Sequence, residues 1–84
     1  ISLLEDRAER ALEVSLNAAR VADRSQAPRH RAKSLLFAGV SALTVGDRGQ
    51  AIQLLDESLQ ISEELELNPI AEPARQMLTE AQSG

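Results

Sequence analysis

The single histidine, His30, sits in "RHRAK" at residues 29–33. A histidine acting as a general base needs an orienting carboxylate and a substrate within hydrogen-bond reach. Its neighbours here are Arg29, Arg31 and Lys33, so it reads as a solvated residue near a helix start. The basic cluster has a second reading, as a binder of acidic peptide or phosphate, to be weighed against a solvated face. "SEELELN" carries Glu63, Glu64 and Glu66. A hard cation needs several converging oxygens, and on one helix these three carboxylates diverge, so no metal site is expected. Ser15, Ser34, Ser41, Ser58 and Ser62 have no histidine at a spacing that would activate a nucleophile. "GDRGQ" at residues 46–50 lacks the lysine and the preceding strand of a phosphate-binding loop. No catalytic, cofactor-binding or metal-binding residue emerges, and an enzyme is not expected.

Composition narrows the field further. The chain has 84 residues, enough for one small domain, expected here at 1–84. Hydrophobic residues make up 43% and aromatics 1%, so Leu, Ala, Ile and Val must build the core. A net charge of −4 weighs against direct nucleic-acid binding, which leaves a basic footprint. The charge is uneven: residues 1–33 carry seven Lys or Arg against five Asp or Glu, and residues 34–84 carry two against eight. Opposite halves can attract each other or a second copy, within the limits set by screening. Cysteine is absent, which fits a reducing compartment, and the expected location is cytoplasmic. No apolar run is long enough for a membrane span, and residues 1–24 do not read as a signal peptide. The start at Ile1 suggests a fragment of a larger protein. Eight Arg against one Lys suggests a GC-rich bacterial genome.

The elements that must position any site are helices. Pro and Gly divide the chain into four helical segments, at about 2–24, 27–45, 48–66 and 72–82. Segment one spaces Leu4, Ala8, Ala11, Leu12, Ser15, Ala18, Ala19 and Ala22 by threes and fours, as one buried helical face does. Ser25 and Pro28 read as cap and first turn of segment two. Ala32, Leu35, Leu36, Gly39, Ala42 and Leu43 form its stripe, with Phe37 and Val40 on a flank. So wide an apolar surface implies packing on more than one side. Gly46 ends that helix and Asp47 caps the next. Segment three is expected to bury Ala51, Ile52, Leu54, Leu55, Ser58, Leu59, Ile61 and Leu65. Asn68 and Pro69 read as a cap and turn. Pro73 would forfeit a backbone bond inside a helix, so a loose turn at 69–71 is expected before a helix from Glu72. That helix offers Ala74, Met77, Leu78 and Ala81. Short joints imply antiparallel neighbours and an all-α architecture.

The chain also repeats itself. "ALEVSLNAARVAD" from Ala11 aligns with "AIQLLDESLQISE" from Ala51, forty residues on. Ala11 meets Ala51, Leu12 meets Ile52, Val14 meets Leu54, Ala18 meets Ser58 and Val21 meets Ile61. Segments two and four align at an offset of thirty-nine, pairing Ala32 with Ala71, Leu35 with Ala74 and Ala42 with Ala81. The order is B–A–B–A, two units cut out of register.

Residues 32–59, "AKSLLFAGVSALTVGDRGQAIQLLDESL", resemble a tetratricopeptide repeat. The likeness rests on Leu35 and Gly39 in the first helix, the Gly46–Asp47 turn, and Ala51, Leu55 and Ser58 in the second. Gly39 and Ala51 would let two helix axes approach closely. The chain departs from the pattern where Leu35 and Ala42 replace aromatic residues, and where the unit runs near forty residues. In segment one, Asp6 and Arg7 stand where the Gly-Asp turn would be. The longer unit, with "SLQISEELELNP" leading out, is similar to repeats of large bacterial LuxR-type transcription regulators and related signalling proteins.

The resemblance implies an α-solenoid that binds protein or peptide along a groove. Carried onto this chain, the groove positions are Lys33, Leu36, Phe37, Val40 and Thr44. Phe37 either faces a ligand there or packs on segment one or a neighbouring helix. The alternative is a homo-oligomer, with copies stacking through apolar faces at the two ends of the solenoid.

Overall fold

A computed structural model describes residues 3–83, with side chains from Asp6 onward. Ser2, the expected start of segment one, and the Leu4 side chain therefore lie outside the described residues. Four helices follow one another: α1 (Leu3–Arg24), α2 (Pro28–Val45), α3 (Arg48–Glu64) and α4 (Asn68–Ser83). Each packs on the next, and α2 also meets α4. Among the described residues α2 and α4 approach each other, and the α1 and α3 backbones do not. None of these helices is long and apolar enough to cross a membrane.

One device closes all three joints. Gln26, Gly46 and Glu66, twenty residues apart each time, adopt left-handed backbones with φ of 54°, 90° and 56°. Just beyond each, an amide reaches back five residues: Ala27 to the Ala22 carbonyl at 2.8 Å, Asp47 to Ala42 at 2.9 Å, Leu67 to Ser62 at 2.7 Å. This bond satisfies a carbonyl that a helix end would leave unpaired. The residue that donates it then opens the next helix. The Arg31 amide donates to the Ala27 carbonyl at 3.0 Å, Ala51 to Asp47 at 3.0 Å, and Ala71 to Leu67 at 2.8 Å. One helix thus stops and the next starts within three residues, which folds neighbours back on each other. Asp47 alone adds a side-chain cap, accepting from the Gln50 amide at 3.2 Å.

Ser25 does not cap α2. Its hydroxyl donates to the Val21 carbonyl at 2.9 Å, because the turn at Gln26 leaves it on the last turn of α1. Asn68 is likewise the first residue of α4 rather than its cap. The expected loose turn at 69–71 is helical, and Pro73 lies inside α4. Pro73 forfeits only the bond its amide would have given to Pro69, near the helix start. The first turn is held by Ile70 and Ala71 amides on the Leu67 carbonyl, and by burial of Ala71.

The core is made of small residues. Ala42, Ala51, Leu55 and Ala81 form its centre, with Leu12, Leu36, Leu43, Ile52, Leu54, Met77 and Leu78 packed around. Gly39 is what lets α3 come close to α2: a Cβ there would stand 2.6 Å from Leu55 Cγ and 2.7 Å from Cδ2. Ser58, fully buried, donates its hydroxyl to the Ala32 carbonyl at 2.7 Å and so ties α3 to α2. Ser62, also buried, donates to the Ser58 carbonyl. Ala32 and Ala71, Leu35 and Ala74, and Ala42 and Ala81 are buried as pairs.

Burial differs from the sequence expectation on two helices. On α1 the buried residues are Ala8, Ala19 and Ala22, with Leu12, Ser15 and Leu16 half-buried, while Ala11 and Ala18 face outward. On α3 Leu65 is 44% exposed, because the helix ends at Glu64 and Leu65 belongs to the turn.

Candidate functional site

Helices α2 and α4 flank a cleft of about 640 Å³. One wall is the first half of α2, from Arg29, His30, Lys33, Leu36 and Phe37. The other comes from the joint into α4, with Glu66, Leu67, Pro69 and Ile70. Helical spacing puts Arg29, Lys33 and Leu36 on one face of α2. The left-handed turn at Glu66 then brings the start of α4 opposite that face.

Of the five groove positions expected from the sequence, the structure gathers Lys33, Leu36 and Phe37 into the cleft. Val40 and Thr44 lie further along α2, outside its lining. The Thr44 hydroxyl turns back to the Val40 carbonyl at 3.1 Å. Leu36 also packs against the core. Phe37 is 53% exposed, so it is not covered by α1 or another helix here. The Lys33 ammonium lies 6.0 Å from the centre of its ring, at the outer reach of a cation–π contact. The residues expected at the repeat packing surface lie elsewhere. Leu35, Gly39, Ala51, Leu55 and Ser58 are buried between helices, and Gly46 makes the α2–α3 turn.

The charges sort themselves by position. Arg31 turns inward, with Asp23 at 3.7 Å and Glu57 at 3.5 Å, and bridges the first three helices. Arg75 meets Glu63 at 3.1 Å and joins α4 to α3. Arg29 and Lys33 have no acidic partner among the described residues. The three glutamates of "SEELELN" part company: Glu63 serves Arg75, Glu64 lines a hollow beside the α1–α2 joint, and Glu66 lines the cleft. Among the described residues no group of three or more His, Asp or Glu converges as metal ligands would.

The cleft therefore offers an apolar floor with a cationic edge. The wall from residues 66–70 was not anticipated from the sequence. No local signal marks it, since the left-handed turn that sets where α4 begins falls on Glu66, a residue with a Cβ.

A second exposed feature lies on α1. Ala11, Val14, Ala18 and Val21 form an outward stripe, with Val14 63% and Val21 53% exposed. Beside it runs a hollow of about 400 Å³ between α1 and α2, lined in part by Ala18, Val21, His30 and Ser34. The opposite end differs. The outward side of α4 carries Glu72, Arg75, Gln76, Thr79 and Glu80, so among the described residues the apolar end face is that of α1.

In comparisons with known proteins, no family model, no curated protein and no solved structure matches the chain.

Proposed function

We propose that the chain is a tetratricopeptide-like module that holds a segment of a protein partner in the α2–α4 cleft. The observation that carries this reading is Phe37, a large apolar side chain left exposed on the cleft wall opposite Pro69 and Ile70. A cleft of about 640 Å³ lies within the range of roughly 300–1,000 Å³ usual for ligand sites. Its lining supplies apolar surface and charge. The forty-residue spacing and the "SLQISEELELNP" stretch support a place in a cytoplasmic bacterial transcription regulator or signalling protein.

The test is to select binders from a random peptide library and map them by amide chemical shifts. Shifts gathered at Lys33, Phe37 and Ile70 support the cleft. Binders that perturb only other surfaces sink it.

A second reading, self-association, is favoured by the α1 stripe. The polar side of α4 makes end-on-end stacking unfavourable, since it would set Glu72, Gln76 and Glu80 against Val14 and Val21. Two copies meeting through α1 avoid that cost.

A further inference from the structure

We infer that the cleft recognises an extended acidic peptide, with carboxylates at two alternate positions next to an apolar side chain. The inference rests on the cleft being the binding site and adds the chemistry of its occupant. The protein has a net charge of −4, yet this edge of the cleft is cationic. Arg29 and Lys33 both line it, and neither has an ion-pair partner among the described residues. Arg31, in the same short stretch, does, with Asp23 and Glu57. The two free cations are four residues apart, roughly 6 Å along the helix axis. Side chains on one face of an extended strand are two residues apart, roughly 6–7 Å. Carboxylates at alternate positions therefore match Arg29 and Lys33 in register.

The apolar part has its own place. Leu36, Phe37, Leu67 and Ile70 line the same cleft and can cover one large aliphatic or aromatic side chain. A basic peptide would set its charge against Arg29 and Lys33. A uniformly acidic one would leave Phe37 uncovered. Glu66 lies among the joint residues of the other wall and disfavours further acidic residues near it.

The experiment is calorimetric titration of the whole chain with three short capped peptides. One carries two aspartates at alternate positions followed by a phenylalanine. The second replaces the aspartates by lysines, and the third by asparagines. Expected is binding of the first peptide at least about tenfold tighter than either analogue. Its affinity should fall with rising salt, as charge pairing at a surface requires. Arg29→Glu and Lys33→Glu should each weaken it about tenfold, and Phe37→Ala should weaken all three peptides. These residues are exposed, so unchanged helical circular dichroism checks that each variant folds.

Equal affinity for the acidic and lysine peptides, still lowered by Phe37→Ala, would overturn the carboxylate inference and leave the cleft reading standing. Displacement of the acidic peptide by an equal concentration of inorganic phosphate would overturn the peptide occupant in favour of a phosphoryl group. No binding of any peptide at millimolar concentration would overturn the inference and count against the cleft itself.

Discussion

Helices α1 and α3 carry segments that align forty residues apart in the sequence, and they meet opposite fates. Ala51 and Ser58 are fully buried beneath α2, while their counterparts Ala11 and Ala18 face outward. Leu54 and Ile61 are half-buried, but Val14 and Val21 are 63% and 53% exposed. The residue types hardly differ, so composition cannot account for the contrast. What differs is the neighbour: among the described residues α3 has α2 on one side and α4 on the other, whereas α1 packs on α2 alone. A stripe of small and branched residues is thus a surface prepared for a helix, and burial follows only where a helix arrives.

The largest effect that sharpens this contrast should come from Leu55, a fully buried side chain set against Gly39. Leu55→Ala is expected to cost about 2–5 kcal/mol in urea unfolding. On the uncovered stripe of α1, the apolar truncation Val14→Ala should stay within about 0.5 kcal/mol. Similar losses at both sites would break the comparison.

Next in size is overpacking. Ala51→Leu should destabilise by about 1–3 kcal/mol, since no space remains at a fully buried position. Ala11→Leu, at the matching exposed position, should leave the melting temperature nearly unchanged. A neutral Ala51→Leu would remove the case for close approach of α2 and α3.

A smaller effect is expected from the buried hydroxyl. Ser58→Ala loses the bond to the Ala32 carbonyl and should cost about 0.5–1.5 kcal/mol by denaturant titration. The reverse exchange at the partner position, Ala18→Ser, should be silent because that side chain is solvated. A cost at Ala18 equal to that at Ser58 would place a covering helix on α1.

The smallest change in stability, under about 0.5 kcal/mol, is predicted for Val14→Glu with Val21→Glu. Its informative readout is sedimentation equilibrium across concentration. If copies meet through α1, the wild type associates and this double variant is monomeric. A wild type that stays monomeric throughout would end the self-association reading.

How much of this was legible depended on whether the signal was local. The Gly46–Asp47 joint announced itself, because Gly accepts the left-handed φ of 90° without a steric penalty and Asp is a good cap. The two other joints use Gln26 and Glu66, which carry a Cβ and give no such cue. Their left-handed backbones cost about 1–2 kcal/mol each. That cost is offset in the fold by the closing amide bonds and the packing that follows. Pro73 misled for a similar reason, since its local penalty is outweighed by burial of Ala71 and Ala74. On the candidate site, Lys33, Leu36 and Phe37 share a helical face and could be grouped from spacing. The opposite wall could not, because Glu66 to Ile70 reach the cleft only through the way α4 folds back.

The sequence by itself determined four helices, their order and the α2–α3 turn. Each of these is written in periodicity and turn chemistry within a few residues. Tertiary structure alone decided which apolar stripes are covered, which arginine is paired and which basic residues stand free at the cleft. Those outcomes depend on what lies across from a residue in space: Arg31 has Asp23 and Glu57 within reach, and Arg29, two residues away, does not.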